Sequence, residues 1–143
     1  PSNKLKMLGF QMGVHQLCHQ KEPLVIKSES SFKGAYEATY QLIQQHPETN
    51  GIIYVVDLLA VGGIRALRDM NIQVPGQVAV IGVDNSIYAE ISYPTLTSLD
   101  NKLFDLSITT AHNLIDVIQN KHVVKNMMIM SSIEERESTK IEY

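Results

Sequence analysis

Cysteine is almost missing from this sequence, because Cys18 is the only one among 143 residues. A single cysteine excludes an intrachain disulfide, and such low usage is typical of proteins from a reducing compartment. Long apolar runs are also missing, so the sequence predicts no membrane span and no membrane partner. Residues 1–4 are followed by no apolar stretch of the kind found in signal peptides. Together these absences predict a cytoplasmic location.

Positive charge is scarce as well: 12 Lys and Arg residues against 15 Asp and Glu residues give a net charge of −3. A nucleic-acid-binding surface is normally basic, which argues against DNA binding by this segment itself. A DNA-binding domain elsewhere in a longer parent chain stays possible. The sequence also lacks the Walker A, G-x-G-x-x-G and G-x-S-x-G patterns, and no motif gathers its Ser, His and Asp residues into a triad. We therefore predict no enzymatic activity, with an α/β enzyme as an open alternative.

A short helical pattern carries the only candidate metal ligands. His15, Cys18 and His19 are spaced i, i+3 and i+4, which would place them on one helix face. A structural metal site needs a further ligand nearby, and the sequence offers none. We predict no metal and no cofactor, and an ordinary helix surface at these positions.

The strongest positive feature is the apolar run Val78–Val83, which is interrupted only by Gly82 and does not alternate. Strands that are buried on both faces of a parallel sheet have this pattern. The run ends at Asp84-Asn85. Ligands of open α/β sheets bind beyond the carboxyl ends of parallel strands, so these two residues form a candidate binding site for a polar small molecule.

The rest of the first half alternates between helical and strand patterns, with short connections. This alternation predicts an α/β fold with a parallel sheet built from βαβ units. Because the chain starts on a helix without the strand that should precede it, we expect the domain to begin upstream. The predicted elements are a helix over 1–20, a strand over Leu24–Ile26, a helix around Ala35–Ile43, a strand over Ile52–Val56, a helix over Leu58–Met70 and the strand Val78–Val83.

The second half changes in character. Apolar residues from Phe104 to Ile118 recur at i, i+4, i+7, i+11 and i+14, which predicts an amphipathic helix. The predicted neighbours of this helix are a short helix or turn over Ile87–Ser92, an extended segment over Tyr93–Leu99, a strand over Met127–Ile133 and a partly ordered strand in the tail Glu134–Tyr143.

Six segments resemble, in the same order, the motifs of LacI/GalR-type bacterial transcription regulators. Val74–Asn85 resembles the family's VP-x-D-V-x-V-x-G-F-D segment, and the match covers both the turn and the strand. The other five are Lys6–Phe10 for R-x-x-G-F, Phe32–Ala38 for S-G-Y-E-A, Val55–Gly62 for A-N-D-x-x-A-x-G, Tyr93–Ser98 for P-P-L-T-T, and Arg136–Thr139 for R-x-S-T.

The resemblance implies a type I periplasmic-binding-protein-like fold, with two α/β subdomains around a ligand cleft. Residues 1–95 would form the C-terminal subdomain, 96–121 would cross into the N-terminal subdomain, and 122–143 would return as a strand and tail. The partners implied are a sugar, sugar phosphate or nucleobase as effector, a second copy of the chain, and operator DNA bound through an absent helix-turn-helix. The alternative is a sugar-binding receptor of a transport system with the same fold.

Three polar residues are the leading candidates for effector binding. Asp84 matches the family aspartate that hydrogen-bonds effector hydroxyls, and a turn cap is its structural alternative. Asn85 is a weaker candidate, because asparagine is also a common turn residue. Lys6 stands where the family usually has arginine, and lysine lacks the bidentate geometry of that residue, so an exposed helix lysine is the alternative.

The other candidates are Asp57, Phe32 and Leu103. Asp57 is predicted more strongly as a helix N-cap than as a ligand contact. Phe32 would pack on a sugar ring or in the core, and Leu103 matches a family position that faces the cleft. Val56 replaces an asparagine that often binds the effector in the family, and valine makes no side-chain hydrogen bond. The effector of this chain is therefore expected to differ from the common pattern.

The resemblance also places a two-fold interface on the helix after Asp57 and on the segment after Asp84. Both segments carry more apolar residues than a single core face needs, and ordinary burial against the sheet is the alternative. The candidate interface residues are Leu58, Leu59, Val61, Ile64, Ile87, Tyr88, Ile91 and Tyr93.

Overall fold

The structure, a computed structural model, describes residues 2–17, 23–121 and 126–140. Within these ranges, five α-helices and four β-strands largely alternate and are followed by a 3-10 turn at Glu137–Thr139. The helices are α1 Ser2–Leu17, α2 Phe32–Gln45, α3 Asp57–Asp69, α4 Ile87–Ile91 and α5 Leu103–Ile118, and the strands are β1 Gly51–Ile53, β2 Ala79–Val83, β3 Thr97–Asp100 and β4 Ser132–Glu134.

The strands form one sheet in the order β1-β2-β3-β4. Strands β1, β2 and β3 are parallel, with Ile52 opposite Val80 and Gly82 opposite Ser98. Strand β4 runs antiparallel to β3, with Ile133 opposite Leu99. The predicted α/β class and mostly parallel sheet are confirmed, and the carboxyl ends of β1, β2 and β3 lie at the same edge.

The core lies between the sheet and the helices α2, α3 and α4. Its largest fully buried apolar side chains are Leu67, Leu96 and Val80. Burying a side chain of this kind contributes about 1.5–3 kcal/mol to stability. The remaining members of the core cluster are Ile43, Ala60, Ile64, Val78 and Ala89.

Helix α2 begins at a capping serine. The Ser31 hydroxyl accepts a hydrogen bond from the backbone N–H of Gly34 at 3.0 Å, which satisfies one of the free amides of the first turn. Helix α3 packs closely against α2 because Gly62 faces the carbonyl group of Phe32, where a Cβ would overlap it. The predicted helices at these two places are confirmed.

The predicted strand Leu24–Ile26 is wrong. These three residues form no regular structure and are exposed. A strand needs a hydrogen-bonded neighbour, and within the described residues β1 is an edge strand with β2 as its only partner. The first sheet strand is also shorter than predicted, because it covers Gly51–Ile53 rather than Ile52–Val56.

The chain after β3 also differs from prediction in two places. The predicted strand over Met127–Ile133 is formed only at Ser132–Glu134, and the tail forms a 3-10 turn instead of a strand. Helix α5 is confirmed, yet none of its residues is buried. Its apolar residues Phe104, Ile115 and Ile118 are exposed to solvent. The amphipathic pattern predicted the helix correctly but not a contact for its apolar side.

Helix α1 resembles α5 in this respect, because its apolar residues Leu5, Leu8 and Met12 are also exposed. Cys18, His19 and the predicted last turn of this helix lie outside the described residues. Among the residues that the structure describes, no helix has both the length and the apolar composition needed to cross a membrane.

Candidate functional site

The chain makes an unusual turn directly after β2, at the edge where the parallel strands end. Asp84 has φ 98° and Asn85 has φ 46°, so two successive residues other than glycine occupy positive φ. Such conformations are costly for L-residues and persist only where the surroundings impose them. They are concentrated at functional sites, which makes this turn a candidate site on backbone geometry alone.

Three successive backbone amides hold this turn in place. The N–H of Asp84 donates to the carbonyl oxygen of Leu99 at 2.8 Å, and that of Asn85 donates to the hydroxyl of Ser98 at 3.0 Å. The N–H of Ser86 donates to Oδ2 of Asp57 at 2.6 Å. The turn is therefore attached to β3 and to the start of α3 before any ligand is considered.

Helix α1 brings a lysine to the carboxylate of Asp84. Lys6 Nζ lies 3.9 Å from Oδ1 of Asp84 and donates a hydrogen bond to the carbonyl oxygen of Val55 at 2.8 Å. The side chains of Lys6 and Asp84 are each 32% exposed, so both are accessible to a bound molecule. An ion pair with this exposure contributes little stability, so a ligand can replace it at small cost.

An amide completes the group from the other side. Asn101, just beyond the end of β3, donates from Nδ2 to Oδ1 of Asp84 at 3.0 Å. Its Oδ1 accepts a bond from the hydroxyl of Ser131 at 3.3 Å. Asn101 is not among the residues predicted from the sequence, although it is polar and comes soon after the predicted extended segment Tyr93–Leu99. Lys6, Asp84 and Asn101 thus offer a cation, a carboxylate and an amide within a few ångströms.

The neighbouring residue Asn85 already uses both polar atoms of its side chain in hydrogen bonds within the domain. Its Oδ1 accepts from Nη2 of Arg136 at 2.8 Å, and its Nδ2 donates to Oδ2 of Asp100 at 3.4 Å. Arg136 also donates to the carbonyl oxygen of Leu96 at 2.9 Å. These bonds favour the turn alternative for Asn85, and its role in ligand binding stays a prediction.

Asp57 is corrected in both of its predicted roles. Residue Val56 is the N-cap of α3, and Asp57 is its first helical residue, with only 1% of its surface exposed. Its carboxylate accepts from the N–H and hydroxyl of Ser86 and from the hydroxyl of Ser98. A carboxylate that is buried and already bonded is neither a cap for its own helix nor available to a ligand.

The comparison with known proteins agrees with this architecture. A family model described as "Periplasmic binding protein-like domain" matches residues 2–139. The chain belongs to this family. The predicted fold and the predicted resemblance to LacI-type regulators are confirmed.

The relatives of this periplasmic binding protein-like domain are transcription regulators. The HTH-type transcriptional regulator RegA of Clostridium saccharobutylicum is 26% identical over 136 residues, which cover 94% of this chain and 41% of that protein. The ribose operon repressor of Halalkalibacterium halodurans is 25% identical over 82% of this chain and 36% of its own length. The chain therefore spans less than half the length of these relatives.

A solved structure is similar over nearly the whole domain. A LacI family transcriptional regulator from Arthrobacter sp. FB24, in complex with lactose, superposes with a TM-score of 0.80 at 26% identity. The match covers 90% of this chain and 49% of that one. Regulators rather than transport receptors are thus what the chain is similar to.

Two further predicted ligand residues of this domain lie at helix starts. Phe32 is the first residue of α2 and Leu103 is the first residue of α5, and both are exposed. Leu103 follows Asn101 by two residues, so it begins α5 next to the polar group around Asp84. Both assignments stay predictions.

A charged cluster fixes the start of α5. Lys102 has φ 52°, and its Nζ lies 2.7 Å from Oδ2 of Asp100 and 3.5 Å from Oε1 of Glu134. The hydrogen bond from Lys102 lowers the pKa of the Asp100 carboxyl below its usual value, and the same bond raises the pKa of Lys102. This cluster joins the segment that enters α5 to strand β4.

The predicted interface separates into two groups. Leu59 and Ile64 are 6% and 4% exposed and belong to the core of this domain, so the prediction that they meet a partner is corrected. Both residues lie on the face of α3 that packs against the sheet. Leu58 and Val61 are partly buried. The four residues on and after α4 are exposed: Ile87, Tyr88, Ile91 and Tyr93.

Metal binding has no support within the part of the chain that the structure describes. In these residues no three His, Cys, Asp or Glu side chains lie close enough together to bind an ion. The combination of His15 with Cys18 and His19 is not tested, because the last two fall outside the described residues.

Proposed function

We propose that this domain is the effector-binding and dimerising part of a LacI-type transcription regulator, and that its effector is a neutral sugar held by Lys6, Asp84 and Asn101. The observation that carries the proposal is the convergence of Lys6 and Asn101 on Oδ1 of Asp84 at the carboxyl ends of the parallel strands. Ligands of this fold class bind at that edge.

The donor and acceptor balance of the group favours hydroxyls over phosphates. A sugar hydroxyl donates to a carboxylate and accepts from an ammonium or an amide, and Asp84, Lys6 and Asn101 supply these functions once each. A phosphate would need several cations or free amides. Lys102, the next cation along the strand edge, is already paired with Asp100 and Glu134, and Asp84 would repel an anion.

A nucleobase is disfavoured for a different reason. Nucleobases are recognised by stacking on aromatic faces as well as by hydrogen bonds. Among the described residues the stacked aromatic pair is Tyr36 with Tyr40, whose ring centroids are 6.5 Å apart on helix α2, and the Tyr36 hydroxyl bonds Asp69 at the end of α3. Phe32 is the one aromatic that the family pattern places near an effector, and one ring suits the apolar face of a sugar.

The ligands named for similar proteins point the same way. The Arthrobacter regulator was solved with lactose, and the relative from Halalkalibacterium halodurans is named for a ribose operon. Val56 replaces the usual asparagine of the family pattern, so we expect fewer polar contacts to one end of the sugar than in those regulators.

The domain boundaries belong to the same proposal. We propose that residues 1–95 form one subdomain, that 96–121 cross to a second subdomain supplied by the rest of the parent chain, and that 122–143 return. Exposed apolar residues support this division, because Phe104, Ile115 and Ile118 on α5 and Met128 and Met130 after it are all exposed. Apolar exposure on this scale marks a surface that is normally covered.

The proposed dimer uses the exposed residues Ile87, Tyr88, Ile91 and Tyr93, with Leu58 and Val61 of α3 beside them. Interfaces are enriched in such aromatic and branched residues. A DNA-binding domain elsewhere in the parent chain would bind the operator. As a transcription regulator, the parent protein would act in the cytoplasm. Effector binding would then favour one cleft geometry and so change the arrangement of the two DNA-binding domains.

A thermal-shift screen of the full-length parent tests the effector class. Lactose, cellobiose and ribose form the sugar arm, ribose 5-phosphate the phosphate arm and guanine the nucleobase arm. A ligand that binds the native state raises its melting temperature. We expect a rise with at least one neutral sugar and with neither of the other compounds. A rise with guanine or ribose 5-phosphate alone would overturn the proposed effector class.

A further inference from the structure

We propose that Asp57 and Ser98 are positioning residues, which together form a buried clamp that holds Asp84 in its ligand-binding geometry. Neither side chain is accessible to a ligand, since Asp57 and Ser98 are both buried. The inference rests on the proposed role of Asp84, but its central claim concerns the geometry of the turn and can be tested without a ligand.

The clamp begins with a buried carboxylate. Both of its oxygens are hydrogen-bonded: Oδ1 accepts from the Ser98 hydroxyl at 2.6 Å, while Oδ2 accepts from the N–H and the hydroxyl of Ser86 at 2.6 Å and 2.8 Å. No lysine, arginine or histidine among the described residues forms an ion pair with Asp57.

The carboxylate fixes the direction of the Ser98 hydroxyl. A hydroxyl group has one proton, and here that proton is committed to Oδ1 of Asp57. The lone pairs of the same oxygen are then free to accept the N–H of Asn85, which lies 3.0 Å away. Asp57 therefore acts on Asn85 through Ser98, and on Ser86 directly.

The turn needs this support because its backbone is strained. Asp84 and Asn85 both have positive φ, a conformation that is unfavourable for residues other than glycine. The relaxed alternative would rotate Asp84 away from Lys6 and Asn101. Amide anchors on both following residues prevent that rotation, so the clamp determines where the carboxylate of Asp84 lies.

Two buried serines allow a matched test in the full-length parent protein. Ser98→Ala removes the hydroxyl of the clamp. Ser138→Ala is its control, because Ser138 is equally buried, accepts the N–H of Thr97 at 2.8 Å and donates to the carbonyl oxygen of Val80 at 2.6 Å, and its hydroxyl bonds no residue of the turn among those described. Ser98→Thr keeps the hydroxyl, and Asp57→Asn is a second disruption of the clamp that preserves its shape.

The first measurement is NMR-detected hydrogen exchange of the Asn85 and Ser86 amides. Both Ser98→Ala and Asp57→Asn should weaken the hydrogen bond from the Asn85 amide to the Ser98 hydroxyl. Exchange of that amide should therefore become about tenfold faster or more in each variant. Ser98→Thr should restore slow exchange, and Ser138→Ala should leave these two amides unchanged. Unchanged exchange at Asn85 in Ser98→Ala would overturn the clamp.

The second measurement is calorimetric titration with lactose, cellobiose and ribose separately. For any of these sugars that the wild type binds, Ser98→Ala should raise Kd about tenfold, and Ser138→Ala should leave Kd within about twofold although it also lowers stability. Faster exchange with unchanged Kd would refute a positioning role. If the wild type binds none of the three, the proposed sugar class fails, and the exchange result still decides whether the clamp holds the turn.

Discussion

The carboxylate of Asp57 occupies the space beside Gly82 into which any larger side chain would project. A Cβ built on Gly82 would overlap Oδ1 of Asp57 and would lie 2.7 Å from Cδ2 of Leu96. Gly82 is opposite Ser98 in the sheet, so its missing side chain is what lets a buried carboxylate cross the face of β2 and reach the Ser98 hydroxyl.

Gly82→Ala should therefore lower the free energy of unfolding by about 1–3 kcal/mol, since the methyl group must displace either a bonded carboxylate or a core leucine. Gly51→Ala is the matched control, because Gly51 is also in the sheet and the nearest atom to its Cβ would be the carbonyl oxygen of Ala79 at 4.0 Å. Urea denaturation of the two variants measures the difference. Equal losses would show that the space beside Gly82 can adapt.

The proposed sugar site is tested by Asp84→Ala in the full-length parent. Hydrogen bonds to a charged group contribute about 1.5–3 kcal/mol, so Kd for the bound sugar should rise at least about tenfold. Folding should change little because this carboxylate is about one third exposed and its ion pair is weak.

Asp69→Ala is the control for that experiment. Asp69 is a carboxylate of similar exposure, 34%, and it pairs with Arg65 at 2.9 Å on the outer side of α3. It should leave Kd unchanged in the same calorimetric titration. A Kd for Asp84→Ala that matches the wild type would remove Asp84 from the site.

Much of the scaffold around Asp84 is predictable from the sequence, because apolar periodicity depends on local spacing. The pattern predicted α3 and β2 nearly to the residue, and it predicted a short helix or turn where α4 lies. It failed at Leu24–Ile26, since a strand is defined by a neighbour as well as by its own residues, and within the described residues no neighbour is present.

The candidate site was predictable only in part. The strand-end rule and the motif resemblance identify Asp84 and Lys6, and the structure brings them within 3.9 Å. Neither source indicates that Asn85 accepts a hydrogen bond from Arg136 or that Asp57 accepts one from Ser98. Those partners are 51 and 41 residues away in the chain, so their hydrogen bonds depend on the tertiary fold rather than on local spacing.

The proposed dimer is tested by Tyr88→Glu in the parent protein. A carboxylate at the centre of an apolar interface is costly to desolvate, so sedimentation should show a shift from dimer toward monomer. Tyr40→Glu is the control, because Tyr40 is exposed to nearly the same degree, 38% against 41%, and lies on α2 away from α4. A monomer shift in both variants, or in neither, would contradict the proposed surface. Leu59→Glu is unsuitable here because it would disrupt the core.

Alkaline pH provides a test of the packing between α2, α3 and β1. The Tyr54 hydroxyl bonds to the hydroxyl of Thr39 at 2.6 Å and fills the space beside Gly63. Desolvation raises the pKa of Tyr54 to about 12 from its ordinary value of 10.0. The native state therefore keeps this proton longer than the unfolded state does, so the stability that Tyr54 contributes is complete below pH 10 and is lost as pH rises toward 12.

Tyr54→Phe removes the ionisable hydroxyl. The difference in unfolding free energy between the wild type and this variant should therefore shrink as pH rises from 9 toward 12. The change expected is up to about 2–3 kcal/mol, since one pKa unit corresponds to about 1.4 kcal/mol. Urea denaturation at several pH values measures it, and titration of lysines cancels in the difference. A gap that stays constant over this range would mean that Tyr54 is as well solvated in the native state as in the unfolded chain.

The attachment of Ser138 also affects how the chain can be made. Its hydroxyl bonds the carbonyl oxygen of Val80 and accepts the N–H of Thr97, so it joins two neighbouring parallel strands from 58 and 41 residues away. Glu137 adds a carboxylate on Thr95, and the hydrogen bonds from Thr95 lower the pKa of that carboxyl. During synthesis the central strands emerge from the ribosome well before these residues do. The polar groups of β2 and β3 that Ser138 satisfies therefore gain this partner only after residues 137–139 have been synthesised.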